Sequence, residues 1–215
     1  MLASTQFLYF LVLIPSIILH EVSHGAVANL CGDTTAKDAR RLSLNPLKHI
    51  DPIGTVVLPI ILLMAHSTAF GWAKPVPVSI NRLRHPRNQA VLVSLAGPAV
   101  NIVLALVFGL LFRFATGNGA NLPLGGTSAW PLGDQLLYLA GFANVIIATF
   151  NLIPIPPLDG SAVVERFLPS SMLPSYYRLR MFSMVFVFVL VFLAPGVLNT
   201  LFSHALSIWA NVVFS

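Results

Sequence analysis

Long apolar runs constrain this sequence more than any other feature. The longer runs reach about 18 residues or more, the length that an α-helix needs to cross a hydrocarbon layer of about 30 Å. Only 9% of the 215 residues are charged, whereas a soluble domain carries about 25%. A soluble fold has too little interior to bury so much apolar surface. The sequence therefore predicts an all-α polytopic membrane protein of about five to six membrane segments, drawn from runs at about 5–31, 53–70, 89–114, 134–153, 181–195 and 197–214.

The run at 53–70 differs from the others because Pro52, Gly54 and Pro59 interrupt it. Basic residues lie on both sides of this run: Lys37, Arg40, Arg41 and Lys48 before it, and Lys74, Arg82, Arg84 and Arg87 after it. A spanning helix would place one of these basic loops outside the cytoplasm, whereas a hairpin that enters the membrane and returns keeps both inside. We therefore predict a re-entrant hairpin at 53–78. An ordinary but imperfect spanning helix is the alternative.

The hairpin determines the orientation of the other segments. The N-terminus lies outside, and eleven of the twelve basic residues lie on the cytoplasmic side, all but Arg113. The loop at 115–133 contains no Lys or Arg, as expected of an outer loop. The net charge of +5 thus reflects orientation rather than nucleic-acid binding, because no basic patch is interleaved with aromatic residues. We predict a single membrane domain over 1–215 that binds no nucleic acid.

Residues 19–25, LHEVSHG, place an H-E-x-x-H pattern inside the first apolar run. On a helix, His20 and His24 lie about one turn apart on the same face, so one metal ion can bind both. Glu21 lies about 100° round the helix and can act as general base on a metal-bound water, as in helical zinc hydrolases. A charged group at the centre of a bilayer costs about 2.5–3.5 kcal/mol. A metal site is therefore the favoured interpretation, and a polar cluster satisfied by neighbouring helices is the alternative.

A catalytic zinc site also needs a third protein ligand, and the chain has seven acidic residues. Five of these have simpler interpretations: Asp33, Asp38 and Asp51 as solvated loop residues, Asp134 as a helix-start residue, and Glu165 as the neighbour of Arg166. Asp159 follows three prolines that break the fourth long helix, so the backbone can turn and present it to the bundle. Gly160 permits a close backbone approach there. The alternative for Asp159 is a cap in a helix-terminating loop.

Asn151 and Asn101 are two of the asparagines that lie in apolar segments. Asn151 is eight residues before Asp159 and could donate its amide to an oxyanion, with a helix-to-helix hydrogen bond as the equal alternative. Asn101 follows Gly97 and Ala99, which suggest close helix packing, so a packing role is favoured for it. The remaining histidines have no partner at ligand spacing: His49, His66, His85 and His204.

Three separated segments, in this order, resemble the site-2 protease family of intramembrane zinc metalloproteases: HEVSHG at 20–25, AGPAVN at 96–101 and NLIPIPPLDG at 151–160. The connecting stretches at 32–54 and 70–78 are similar to the short bacterial and archaeal branch, which lacks an appended peptide-binding PDZ domain. The resemblance covers about 20–165, and its departure from the family pattern is PIPPLDG in place of the shorter N-P-x-D-G form. The C-terminal helices, at about 179–214, carry no motif.

The resemblance implies a core of three membrane helices within about 5–165. It implies one zinc ion per chain, bound by His20, His24 and Asp159, with Glu21 as the base and Asn151 near the scissile carbonyl. It further implies a multi-pass protein of the prokaryotic cell (inner) membrane, whose active site faces the cytoplasmic side.

Residues and resemblance together predict an intramembrane zinc metalloendopeptidase that hydrolyses peptide bonds within or near transmembrane helices. Its partners would be the lipid bilayer and a transmembrane protein or peptide whose helix must unwind before cleavage. An edge of the hairpin at 53–78 could hold the unwound segment by strand addition. The alternatives are a membrane metal transporter and a non-catalytic membrane binding protein. The sequence does not determine the oligomeric state.

Overall fold

The computed structural model describes residues 2–51, 64, 74–117 and 127–215. Within these ranges the regular structure is helical, which confirms the predicted all-α class. The α-helices are α1 (Leu2–Leu30), α2 (Thr35–Asp38), α3 (Pro86–Thr116), α4 (Leu132–Asn151), α5 (Ser161–Phe167), α6 (Leu173–Arg180), α7 (Ser183–Phe188) and α8 (Pro195–Phe214). Short 3-10 helices lie at Pro46–Lys48, Ile80–Arg82 and Thr127–Ala129, and a π-helix lies at Val189–Leu193.

Four helices in the described ranges are long and apolar enough to cross a membrane: Phe7–Leu30 within α1, then α3, α4 and α8. The apolar run at 181–195 forms α7 and the π-helix instead of one long helix. Pro195 begins a new helix there, because its fixed φ and missing N–H suit the first helical turn. Residues 53–73 of the predicted hairpin lie outside the described residues, apart from Met64. Its last residues, 74–78, belong to a segment at 74–79 without regular structure.

The core of the molecule is formed by α1, α3 and α4, which pack on one another as predicted. The C-terminal helix α8 packs against α3 and α4 through Trp209. A Cβ at Gly109 would lie 3.0 Å from the Trp209 ring, and one at Gly141 would lie 2.6 Å from it. The two glycines therefore make room for the indole, whose Nε1 donates to the Ala105 carbonyl at 2.9 Å. The sequence offered no motif for this helix, and the structure gives it a packing role.

The turn at 152–160 returns the chain from the end of α4 towards the bundle. Its closure depends on Gly160, whose backbone N–H donates to the Asn151 carbonyl at 2.7 Å. A Cβ at Gly160 would overlap the Leu152 carbonyl, so the backbone approach predicted at this position requires glycine. This tight closure carries the adjacent Asp159 back between α1 and α3.

Candidate metal centre

Three predicted metal ligands come together inside the helical bundle. His20 and His24 of α1 are buried, and their Nε2 atoms lie 3.1 Å apart. The Oδ2 atom of Asp159 lies 3.1 Å from His20 Nε2 and 3.4 Å from His24 Nε2. Within the described ranges these residues form the group that could hold a metal ion. The structure thus joins two ligands on one helix to a third from the turn at 152–160.

The spacing of these three atoms fits a zinc ion. Zinc bonds of about 2.0–2.1 Å place the ligands of a tetrahedral site about 3.3–3.4 Å apart, close to the separations of 3.1, 3.1 and 3.4 Å found here. Two imidazole nitrogens and a carboxylate oxygen are also a donor set that catalytic zinc uses. The residues therefore fit the metal in both chemistry and spacing.

The hydrogen-bond partners of the two rings also favour a metal site. His20 Nδ1 faces the Asn101 Oδ1 atom at 2.6 Å, and His24 Nδ1 faces the Val93 carbonyl at 2.7 Å. Because both partners are acceptors, each Nδ1 carries the hydrogen and each Nε2 presents a lone pair. The Asp159 Oδ2 atom is buried and receives no hydrogen bond from the described residues. Three lone pairs thus converge on one point, an arrangement that a cation satisfies.

One face of α3 supplies the supports for all three ligands. Val93, Gly97 and Asn101 follow one another at intervals of four residues, so they lie on the same side of the helix. A Cβ at Gly97 would lie 2.6 Å from His20 Nε2, so glycine is needed where the rings meet this helix. Ser94 Oγ donates to the Asp159 backbone carbonyl at 3.0 Å and lies 3.4 Å from its Oδ1 atom. The ligands therefore come from α1 and the turn, whereas their orientation comes from α3.

Glu21, the predicted base, lies beside the ligand cluster and accepts a hydrogen bond from the Val76 backbone N–H at 2.9 Å. Val76 is buried, and its side chain packs against Gly25 of α1. A Cβ at Gly25 would lie 2.7 Å from the Val76 side chain. Glu21 and Gly25 are four residues apart on α1, so one face of the helix receives both the amide and the side chain of Val76. The segment at 74–79 therefore covers the base and restrains it.

Asp33 anchors the far end of this segment, contrary to the prediction that it is a solvated loop residue. Its side chain is fully buried and accepts hydrogen bonds from the Ser79 backbone N–H at 2.6 Å and from the N–H and hydroxyl of Thr35. Burial raises the pKa of Asp33, but these hydrogen bonds, together with the charge of Arg82, hold that pKa below its usual value. The prediction was wrong because a distant backbone amide supplies the main contact.

Asn151, the other predicted catalytic residue, ends α4 and lines the same cavity as the three ligands. Its amide donates to the Ile147 carbonyl of its own helix at 3.0 Å rather than to another helix. The cavity has a volume of about 640 Å³. Its lining also includes Arg87, Glu165 and Tyr177, so the cavity extends to the stretch at 165–180.

Sequence reasoning missed three buried polar residues near the ligands. Asn101 was assigned to packing, yet it contacts His20 directly. Ser16 and Asn144 drew no attention, although both are buried and bonded to one another. Asparagines inside apolar helices were the available signal. The other described histidines stay apart from the cluster: His49 is buried in its loop, whereas His85 and His204 are exposed, and His66 lies outside the described residues.

A buried ligand cluster of this type, beside a glutamate and within apolar helices, defines a membrane metallopeptidase. The chain belongs to peptidase family M50, whose profile matches residues 8–194. This match confirms the predicted site-2 protease family and the predicted class of enzyme, a zinc metallopeptidase.

Two kinds of relative support the assignment. The chain is 36% identical over 184 residues to YwhC of Bacillus subtilis, named as a candidate zinc metalloprotease, covering 85% of this chain and 78% of that protein. It is 31% identical to Rip2 of Mycolicibacterium smegmatis over 71% of this chain and 54% of the relative. It is 29% identical to Rip2 of Mycobacterium tuberculosis over 84% of this chain and 64% of the relative. Both Rip2 proteins are also named as candidate zinc metalloproteases. No solved structure gives a significant match.

Proposed function

We propose that this chain is an intramembrane zinc endopeptidase that cuts peptide bonds within or near transmembrane helices of other membrane proteins. The observation that carries the proposal is the convergence of three lone pairs, at zinc spacing, inside a bundle of apolar helices. A peptide bond must enter the helical bundle to reach this cluster. The polypeptide that lies beside the bundle in a bilayer is a transmembrane segment, and we therefore propose such a segment as the substrate. The cavity provides space for an unwound stretch of chain.

His20, His24 and Asp159 would hold one zinc ion, and all three residues line the cavity. Zinc in such a site polarises a carbonyl and lowers the pKa of a water to about 7. The supports on α3 hold the ligands in place before substrate arrives, so little reorganisation accompanies catalysis.

Glu21 would act as the general base and then as the general acid. Its carboxylate takes the proton of the attacking water and returns it to the leaving amine, which makes the C–N cleavage balance in protons. The Val76 N–H holds the Oε2 atom of this carboxylate. Asn151 would donate its amide to the carbonyl oxygen of the scissile bond from the cavity wall.

The substrate would be a transmembrane protein or peptide whose helix unwinds locally, because a helix hides its carbonyls in backbone bonds. Strand addition within 53–78 remains our hypothesis for holding the unwound stretch. In the described end of that segment, the N–H groups of Lys74 and Val76 are already bonded, and Pro75 and Pro77 have none.

We further propose that the protein lies in a prokaryotic cell membrane with its active site towards the cytoplasm. The ligand pair lies in the second half of α1, close to the loop that carries four basic residues. Basic loops remain on the cytoplasmic side of a membrane, so the site would open to that side.

Glu21→Gln tests the proposed chemistry. The purified full chain would be reconstituted in liposomes with a panel of single-span transmembrane peptides, and cleavage and bound zinc would be measured together. We expect the variant to retain zinc and lose cleavage by about 100-fold or more, since general acid–base catalysis contributes about 10²–10⁴-fold. Cleavage at the wild-type rate would contradict the role of Glu21. Zinc flux across the liposomes that persists in the variant would favour the transporter alternative.

A further inference from the structure

A buried network of hydrogen-bonded polar side chains extends from the candidate metal ligands into the apolar core. Its members are Ser16 of α1, Asn101 of α3 and Asn144 of α4, with 4%, 0% and 0% of their surface exposed. Polar groups inside a membrane bundle are costly unless they are bonded, and residues of this kind often have a function there. The catalytic steps proposed above give none of the three a contact with substrate or a proton to transfer.

In the hydrogen bonds of this network, the donor and the acceptor are fixed. Ser16 Oγ donates to the Val12 carbonyl at 2.7 Å, so it can only accept from the Asn144 amide, which lies at 2.9 Å. The Asn144 amide also donates to the Ala140 carbonyl at 2.8 Å. Both of its hydrogens are therefore used, and its Oδ1 atom must face the next residue. The carbonyls of Val12 and Ala140 can only accept hydrogen bonds. They therefore determine which atom donates in each hydrogen bond of this network.

The same logic carries the direction to the metal ligand. Asn101 donates from Nδ2 to the Asn144 Oδ1 atom at 2.6 Å, with the Ser16 carbonyl at 3.4 Å as a second acceptor. Its Oδ1 atom is then turned towards His20 Nδ1, at 2.6 Å. An acceptor there requires the hydrogen on Nδ1, which leaves the Nε2 lone pair free for a metal.

We propose that Asn101, oriented by Asn144 and Ser16, is a positioning residue that fixes the tautomer and ring angle of His20 and thereby sets the metal affinity of the site. The inference rests on the proposed role of His20 as a ligand. His24 has no comparable device, because its Nδ1 partner is the Val93 backbone carbonyl. A side-chain substitution can therefore remove the hydrogen-bond partner of His20 Nδ1 but not that of His24 Nδ1.

A purely structural role is the competing explanation, because the same bonds join three helices and could act only as packing contacts. The two roles differ in what they change. A packing role changes the stability of the metal-free protein and leaves the intrinsic zinc affinity of the folded molecules unaltered. A positioning role changes the zinc affinity itself.

The test compares zinc affinity, by competition with a chromophoric chelator, in detergent-purified full-length variants. We expect Asn101→Leu to weaken zinc binding by about 10–100-fold, the range found when the partner of a ligating histidine is removed. Asn101→Asp keeps an acceptor for His20 Nδ1 and should recover most of the affinity. Thr116→Val is the control, since it removes a buried hydroxyl from the same helix about 22 Å further along. It should bind zinc like the wild type.

Wild-type zinc affinity in a folded Asn101→Leu protein would overturn the proposal, whatever its melting temperature. If that variant does not fold, the wild type supplies the answer after metal removal. Nitrogen-15 NMR of its labelled imidazoles, with His20 assigned by a His20→Gln variant, should show the hydrogen on Nδ1. A hydrogen on Nε2 would equally overturn it. Failure of the proposed function is separate, because it would appear as zinc retained in His20→Gln or as no zinc in the wild type.

Discussion

At the scale of single residues, short motifs predicted the chemistry and missed its supports. His20, Glu21 and His24 could be recognised because their spacing on one helix is local information. Asp159 could be selected because few acidic residues lie in apolar surroundings, and the structure brings it to the histidines. The contact of Asn101 with His20 was not predicted because the two residues are 81 positions apart, and only the packing of α1 on α3 brings them together. The sequence thus predicted which candidate ligands come together, whereas the contacts that orient them were not predictable.

Gly97→Ala should disturb the metal centre without altering any polar group. The added methyl would lie 2.6 Å from His20 Nε2, so the rings or the helix must move. We expect zinc affinity to fall by about 10-fold or more, as when ligand support is lost. Gly133→Ala is the matched control, because a Cβ there meets nothing within 4 Å. Equal zinc affinity in the two variants, measured by chelator competition, would contradict the packing described for Gly97.

At the scale of elements, continuous helices were predictable and the segment that covers the base was not. Runs of high hydropathy became α1, α3, α4 and α8, because a long apolar stretch in a membrane can satisfy its backbone only as a helix. The run at 181–195 broke into α7 and a π-helix, which hydropathy cannot distinguish from a single helix. The segment at 74–79 is held by the Val76 N–H, which donates to Glu21, by the buried Val76 side chain, and by Asp33, which accepts from the Ser79 N–H. No periodic pattern encodes such contacts.

Val76→Pro should separate catalysis from metal binding. Proline removes the N–H that holds Glu21, and the backbone before Pro77 is already restricted to the extended region that proline tolerates. We expect cleavage to fall by about 10–100-fold, as misplacement of a catalytic group does, with zinc content unchanged. Val76→Ala keeps the N–H and should retain most activity. A faster Val76→Pro enzyme would mean that this amide inhibits the base instead of positioning it.

Asp33 gives the same segment a pH-dependent anchor. Its pKa in the folded protein is held below the usual value, so folding favours the ionised form. The stabilisation is complete above the unfolded pKa of about 3.9 and is lost as the pH falls through the folded pKa. Asp33→Asn should lower the melting temperature by a few degrees near neutral pH, because an amide cannot accept on both sides.

The comparison of melting temperatures would be made in detergent from pH 7 down to the acid limit of the wild type. The gap between wild type and Asp33→Asn should narrow only below about pH 4. Asp38→Asn is the control, since that carboxylate is exposed. A gap that stays constant through the acid range would show that the ionised form of Asp33 contributes nothing to stability.

At the scale of the whole molecule, the proposed active site requires one orientation in the membrane. The turn at 152–160, the ligand end of α1 and the basic loops all belong to one end of the bundle, whereas the described part of the loop at 115–133 belongs to the other. This separation of charge follows from the sequence alone. The arrangement of α8 on the core did not, because it depends on the fit of Trp209 to two glycines.

Cysteine labelling in intact bacterial cells tests this orientation. In a Cys31→Ala background, Ala129→Cys should react with a membrane-impermeant maleimide from outside, because that side chain is exposed in the outer loop. Ser170→Cys, exposed between α5 and α6, should react only after the cells are permeabilised. The reverse pattern would place the active site on the outer side of the membrane.

The most direct test of the central claim is the zinc content of the purified full-length protein, measured by elemental analysis in the wild type and in His20→Ala, His24→Ala and Asp159→Ala. We expect about one zinc ion per wild-type chain, as for a single tetrahedral site, and loss of that zinc in each variant. Gly133→Ala, processed in parallel, should keep it. Zinc retained in Asp159→Ala would show that Asp159 is not the third ligand. A wild-type chain without zinc after zinc-supplemented purification would contradict the metal centre itself.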